Sequence, residues 1–136
     1  NGFQILTESA LLPGALMRNA GLKYICKNVE LTVEATDSPF TSNYEKGQII
    51  TAPIAHHDGN YSADTETLKM LRNDGRIAFK YMATPNGSMD DIAGILSANK
   101  RVLGMMPHPE RSNDHELGGT DGVHFFEGIA NALVSA

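Results

Sequence analysis

The chain has 136 residues, 41% of them hydrophobic and 20% charged, which is enough for one hydrophobic core and predicts one domain or most of one. A formal net charge of -5 and a pI near 5.4 argue against nucleic acid as a partner, because domains that bind it commonly have a pI above about 9. No apolar run approaches the roughly 20 residues of a membrane span. The single cysteine argues against a disulfide framework and fits the reducing cytoplasm.

The N-terminal half predicts one helix followed by two strands. Apolar residues spaced as in a helix run from Phe3 to Leu11 and stop at Leu12-Pro13-Gly14, so the helix begins at the first residue. Residues 29–34 alternate apolar and polar side chains, which is typical of a half-buried strand, and residues 49–55 predict a second strand. The polar residues 37–47 between them predict a loop.

The C-terminal half continues the alternation. Asp64 is placed to cap a helix that ends at Asp74-Gly75, and a short strand over 77–81 and a turn over 85–88 follow. Strands over 92–96 and 102–105 can pair with each other. A closing helix from Thr120 carries an apolar stripe of Val123, Phe126, Ile129 and Leu133. This order of elements alone fits an α/β or an α+β fold equally well.

His108 and Glu110 are the first candidate catalytic residues. They lie in the segment Met106-Pro107-His108-Pro109-Glu110, where the prolines favour an extended backbone. In an extended chain residues i and i+2 project from one face, so Glu110 can orient one imidazole nitrogen while the other points toward a substrate. The pair predicts a base and its orienter, two members of a catalytic triad.

The start of the chain predicts where the third member lies. A helix that begins at residue 1 lacks the strand that should precede it, and a nucleophile elbow places the reactive residue on the turn between strand and helix. We therefore expect the intact polypeptide to extend upstream, with the nucleophile directly before Asn1.

Several segments resemble one family in the same order along the whole chain. The proline-framed His108-Pro109-Glu110 resembles the class I (triad) glutamine amidotransferases in general, whereas Asn1-Gly2-Phe3-Gln4 is similar to the nucleophile motif of the glutamine amidotransferase subunits of phosphoribosylformylglycinamidine synthase. Other segments are similar to the glutamine amidotransferase subunits of phosphoribosylformylglycinamidine synthase, namely Leu12-Pro13-Gly14-Ala15-Leu16, Arg18-Asn19, Pro53-Ile54-Ala55-His56, Gly59-Asn60-Tyr61, Pro85-Asn86-Gly87-Ser88, Asp91-Ile92-Ala93-Gly94-Ile95 and Thr120-Asp121-Gly122. One departure is His57-Asp58, where many members carry Gly-Glu.

The resemblance implies a fold and a set of roles. The fold is an α/β class I amidotransferase-like open sheet flanked by helices, and residues 1–136 are the part of the domain that follows the nucleophile elbow. The nucleophile is a cysteine before Asn1, the backbone N–H of Asn1 contributes to the oxyanion hole, and Gln4 contacts glutamine. His57 is a candidate substrate-binding residue, in a loop that either lines the substrate site or is merely polar.

The resemblance also implies the partners. The chain supplies ammonia from glutamine to a synthetase subunit, in a complex that has a small accessory subunit. The chain needs no cofactor of its own and has no metal site, while ATP and Mg are expected on the synthetase, because no phosphate-binding loop occurs in this sequence.

Three alternatives stay open at this stage. The chain could belong to another class I amidotransferase, to a different α/β cysteine hydrolase, or to a scaffolding subunit without a nucleophile.

A zinc site at His56, His57, Asp58 and His115 matches no standard zinc spacing. Cys26 lacks an elbow and is expected to be a buried structural thiol.

Overall fold

The computed structural model describes residues 1–135, and its longer elements follow the predicted order. Within these residues the helices are α1 (Gly2–Glu8), α2 (Thr65–Asn73) and α3 (Val123–Val134). The strands are β1 (Ala15–Met17), β2 (Ile25–Val33), β3 (Ile49–His56), β4 (Asn60–Ser62), β5 (Ile77–Tyr81), β6 (Ile92–Leu96) and β7 (Leu103–Met105). Short 3₁₀ turns occur at Met89–Asp91, Pro109–Arg111 and His115–Leu117.

Five strands form one antiparallel sheet in the order β3-β2-β5-β6-β7, and β1 pairs with β4 beside it. The predicted pairing of the last two strands is confirmed, with Leu96 opposite Leu103. The mixed α/β class is also confirmed. None of the helices in the described part of the chain is long and apolar enough to cross a membrane.

The sheet curls until its two edges approach each other. β3 and β7 are the edge strands, yet the backbone N–H of His108, three residues after β7, donates to the Pro53 carbonyl in β3 at 2.8 Å. Proline has no N–H to give to a ladder, so an edge strand is where it is tolerated. We call this meeting of β3 with the segment after β7 the seam.

Two hydrophobic clusters hold the sheet and the helices together. In one, alternate residues of β2 (Val29, Leu31, Val33) pack with residues of β3, β5, β6 and with Phe125 of α3. In the other, α1 and α2 contribute Phe3 and Leu71, and the ring of Phe3 stacks on that of Tyr61 with centroids 5.8 Å apart. α1 is thereby fixed against the sheet.

Local sequence signals predicted the start of α2 correctly but not the end of α1. The Asp64 side chain accepts the Thr67 N–H at 2.7 Å, so the predicted cap of α2 is confirmed. α1 ends at Glu8, earlier than the predicted stop at Leu12. Ala10 has a left-handed φ of 60°, and the Leu12 N–H returns to the Leu6 carbonyl at 3.0 Å, so the chain turns back before the proline.

The predicted stripe on α3 is only partly confirmed, because Val123 and Ile129 are half-buried and Ile129 packs against the core, but the other two residues are not buried. Phe125 and Gly128 are the buried residues of this helix, whereas Phe126 and Leu133 are 40% and 75% exposed. The reason is close packing against the 37–47 loop: a Cβ on Gly128 would lie 2.5 Å from the Pro39 carbonyl oxygen, and the Phe125 ring lies 5.7 Å from that of Phe40. Because Gly128 has no side chain, α3 can approach Pro39 closely, and this contact determines which face of the helix is buried. The pattern of hydrophobic residues alone did not indicate that face.

Candidate active site

His108 and Glu110 are joined by a hydrogen bond, with 2.7 Å between Nδ1 and Oε1. The predicted extended backbone is wrong, because Pro109–Arg111 forms a 3₁₀ turn. His108, the residue before this turn, has φ -109° and ψ 84°. The turn itself brings the carboxylate back to the ring. A carboxylate only accepts hydrogen bonds, so Nδ1 carries the proton in the neutral ring and Nε2 has a free lone pair.

The turn that carries this pair is anchored on both sides. On one side, the His108 N–H is held at the seam by Pro53. On the other, Gly122 donates its N–H to the Ser112 carbonyl at 2.7 Å and lies so close that an added Cβ would be 2.1 Å from the Pro109 carbonyl oxygen. The beginning of α3 therefore supports the turn directly.

A cavity of about 700 Å³ opens at the seam, and both His108 and Glu110 line it. Its walls come from distant parts of the chain: the start of α1, the turn after β3, and the segment 103–111. Four aromatic residues also line the cavity: the rings of Phe40, Phe125 and Phe126, which pack together, and Tyr24. The cavity thus combines a base with its orienter, a polar rim and an apolar wall, which is typical of a small-molecule site.

The structure brings the predicted site residues together around this cavity. Asn1, Gln4 and His57 all line it. The Gln4 amide nitrogen donates to Glu8 at 2.9 Å, so in this structure the side chain is engaged along α1. His57 is partly exposed, with Nδ1 3.5 Å from an Asp58 carboxylate oxygen.

Sequence reasoning assigned no role to the buried polar residues behind the rim. His56 is 6% exposed and lines the cavity, and its ring contacts Asn19 and Asn86, which are 0% and 1% exposed. Burial, together with the charge of His108, lowers the pKa of His56 below its ordinary value. Asn86 was predicted only as part of a turn. The available signal was a segment, Asn86-Gly87-Ser88, whose polar side chains can bond to the backbone.

Two further expectations concern thiols and metals. Cys26 is exposed, so the prediction of a buried thiol is wrong. It lies on the face of β2 opposite to Val29 and Leu31, and the apolar neighbour Ile25 gave a misleading signal. No group of three or more His, Cys, Asp or Glu side chains is arranged to hold a metal among the described residues.

Comparison with known proteins identifies the family. Residues 1–117 match the family model of the CobB/CobQ-like glutamine amidotransferase domain. The chain belongs to this family. A solved structure described as PurLQS from Thermotoga maritima is similar to it, with a TM-score of 0.88 and 44% sequence identity over 96% of this chain and 58% of that one.

Curated relatives point to one branch of this amidotransferase family. A protein of Ruegeria pomeroyi named phosphoribosylformylglycinamidine synthase subunit PurQ is 65% identical over all 136 residues. Its namesake in Cereibacter sphaeroides is 60% identical over 133 residues. The chain spans 61% of the length of the first relative and 60% of the second.

Proposed function

We propose that this chain forms the acid–base half of a glutaminase site in the PurQ-type subunit of phosphoribosylformylglycinamidine synthase. The observation that carries the proposal is the 2.7 Å bond between His108 Nδ1 and Glu110, with Nε2 left for chemistry in a cavity that the start of α1 also lines. The similarity to proteins named PurQ supports the choice of complex.

The reaction proposed is nucleophilic acyl transfer. A cysteine thiolate attacks the side-chain amide carbon of glutamine, and the developing oxyanion accepts hydrogen bonds from backbone N–H groups that include that of Asn1. His108, protonated at Nε2, gives its proton to the departing nitrogen. The C–N bond breaks, ammonia leaves, and a glutamyl thioester remains.

His108 then works in the opposite direction. Its neutral Nε2 takes a proton from water as the water oxygen attacks the thioester carbon, and glutamate and the thiol are released. Glu110 holds the ring in the tautomer that both steps need and stabilises the imidazolium. In this scheme Gln4 and His57 contact glutamine, which requires Gln4 to exchange its bond to Glu8 for one to the substrate.

The position of the nucleophile belongs to the same proposal. Residues 1–136 form the C-terminal portion of the amidotransferase domain, and in the full-length protein a cysteine directly precedes Asn1. Asn1 lines the same cavity as His108, which supports a nucleophile at the preceding position. Labelling the full-length protein with an electrophilic glutamine analogue, followed by peptide mapping, tests this, and modification at Cys26 instead would contradict it.

The ammonia is proposed to pass to an ATP- and Mg-dependent synthetase subunit, which converts formylglycinamide ribonucleotide to the amidine in the cytoplasm. A small accessory subunit completes the complex. Similarity to a structure described as PurLQS supports an assembly of this kind.

The test compares two nitrogen sources in the complex reconstituted with the full-length subunit. His108→Ala should lower glutamine-dependent synthesis by about 10²–10⁴-fold and leave synthesis from ammonium salt largely intact. Glu110→Gln should reduce the glutamine-dependent rate by less, because the carboxylate transfers no proton. Near wild-type glutamine hydrolysis in His108→Ala would refute the catalytic assignment, and equal loss of both rates would refute the division of labour.

A further inference from the structure

Behind the cavity rim lies a buried polar cluster of His56, Asn19 and Asn86. Asn19 belongs to the loop between β1 and β2, His56 ends β3, and Asn86 follows β5. Three segments that are distant in sequence therefore meet at one imidazole ring. The hydrogen bonds of the cluster determine how this ring is protonated.

Backbone partners fix the orientation of both asparagine amides. The Asn19 Nδ2 donates to the carbonyls of Lys23 at 2.8 Å and His56 at 2.9 Å, so its Oδ1 faces the ring. The Asn86 Nδ2 donates to the Gly59 carbonyl at 2.7 Å, and its Oδ1 accepts the Ser88 N–H at 3.1 Å. Neither amide can be reversed without losing these bonds.

These orientations select one state of His56. Its Nδ1 lies 2.9 Å from Asn19 Oδ1, an acceptor, so Nδ1 must carry a proton. Its Nε2 lies 3.5 Å from Asn86 Nδ2, a donor that also contacts the Tyr81 hydroxyl at 3.4 Å, and this neighbour favours an unprotonated Nε2. In a charged ring, the Nε2–H group of His56 would face the Nδ2–H group of Asn86, and two hydrogen-bond donors would oppose each other. These contacts and the burial of the ring favour the neutral form of His56, whereas the proposed reaction requires His108 to exchange protons.

The same cluster holds the turn that follows His56. Asn19 accepts the Gly59 N–H at 3.1 Å and donates its own backbone N–H to the His57 carbonyl at 2.9 Å. Gly59 packs on the His56 ring so closely that an added Cβ would lie 2.3 Å from its Cε1. The ring therefore packs against the turn formed by residues 57–59. His57 and Asp58 of this turn line the cavity.

We propose that His56 is a positioning residue for glutamine binding: as a neutral ring between Asn19 and Asn86, it fixes the turn that presents His57 and Asp58 to the substrate. This inference rests on the proposed glutaminase function. Because His56 acts through the turn and not on the reacting atoms, its loss should affect the KM for glutamine more than kcat.

The test uses the reconstituted complex with two variants at this position. His56→Leu keeps most of the volume and removes both ring hydrogen bonds, while His56→Asn restores a donor toward Asn19. His56→Leu should raise the KM for glutamine roughly tenfold, a change in the range expected when buried polar partners lose a hydrogen bond, with kcat changed little. His56→Asn should recover much of the loss. His115→Leu, at an exposed histidine, is the matched control.

Synthesis from ammonium salt and the thermal midpoint are measured on the same samples. A wild-type KM in His56→Leu would overturn the inference. So would a parallel loss of kcat, ammonia-dependent rate and thermal stability that His56→Asn does not restore, because that pattern means a purely structural role. Failure of the glutaminase function itself would instead be seen in His108→Ala, independently of His56.

Discussion

Replacing Gly122 by alanine should displace the turn that carries His108 and Glu110. Gly122 has an ordinary helical backbone, at φ -77° and ψ -13°, so alanine meets no conformational penalty there. Its Cβ would nevertheless lie 2.1 Å from the Pro109 carbonyl oxygen, whereas real Cβ contacts do not fall below 3.0 Å. The turn or α3 must therefore retreat by about 0.9 Å.

This displacement sets the expected magnitudes. Overpacking a close contact between backbones costs about 1–3 kcal/mol of unfolding free energy. A shift of nearly 1 Å in a catalytic group can lower a rate by up to about 10²-fold, so we expect a ten- to hundredfold loss of glutamine-dependent synthesis. Synthesis from ammonium salt in the reconstituted complex should change little.

Gly21→Ala is the matched control, because no atom lies within 4 Å of the position of its added Cβ. Steady-state kinetics with both nitrogen sources and chemical denaturation of the full-length subunit measure the two effects. A Gly122→Ala variant with wild-type stability and wild-type glutamine-dependent rate would refute the reasoning. Equal loss of both rates would also contradict it, because general unfolding and not a displaced turn would then be responsible.

Two smaller predictions follow from the surface of the protein. Cys26 is exposed and lies outside the candidate site, so a thiol reagent should label it without denaturant, and Cys26→Ser should keep full glutaminase activity; protection of the thiol or loss of activity would contradict this. The hydrogen bond from Thr67 lowers the pKa of Asp64, so its stabilising effect is present above the ordinary carboxyl pKa and is lost as pH falls through the lowered value. Asp64→Asn should therefore reduce the denaturation midpoint at neutral pH, with the gap closing in acid, while Asp74→Asn at the other end of α2 should show no such pattern.

Local signals predicted most of the elements. Alternation in Val29, Leu31 and Val33 identified β2, and the carboxylate of Asp64 identified the start of α2, because both depend on neighbours a few residues away. The meeting of His108 and Glu110 was also predicted. The assumed extended backbone was wrong, and a 3₁₀ turn gives the same contact.

Features that depend on packing between distant parts of the chain could not be predicted from local sequence signals. The buried face of α3 depends on how closely Gly128 approaches Pro39, and the position of Cys26 depends on which side of β2 the sheet covers. The cluster of His56, Asn19 and Asn86 joins residues up to 67 positions apart in the chain. No periodicity in the sequence indicates such a meeting.

The seam also affects which backbone groups of β3 another chain could pair with. A free edge strand exposes N–H and C=O groups that another chain can extend. On the outer edge of β3, the Thr51 N–H is taken by the Asp121 carboxylate at 2.7 Å, and the Pro53 carbonyl is taken by His108 at 2.8 Å. The bond that positions the candidate catalytic histidine therefore also occupies a backbone acceptor on the outer edge of β3, so one contact both places His108 and reduces the pairing capacity of this edge.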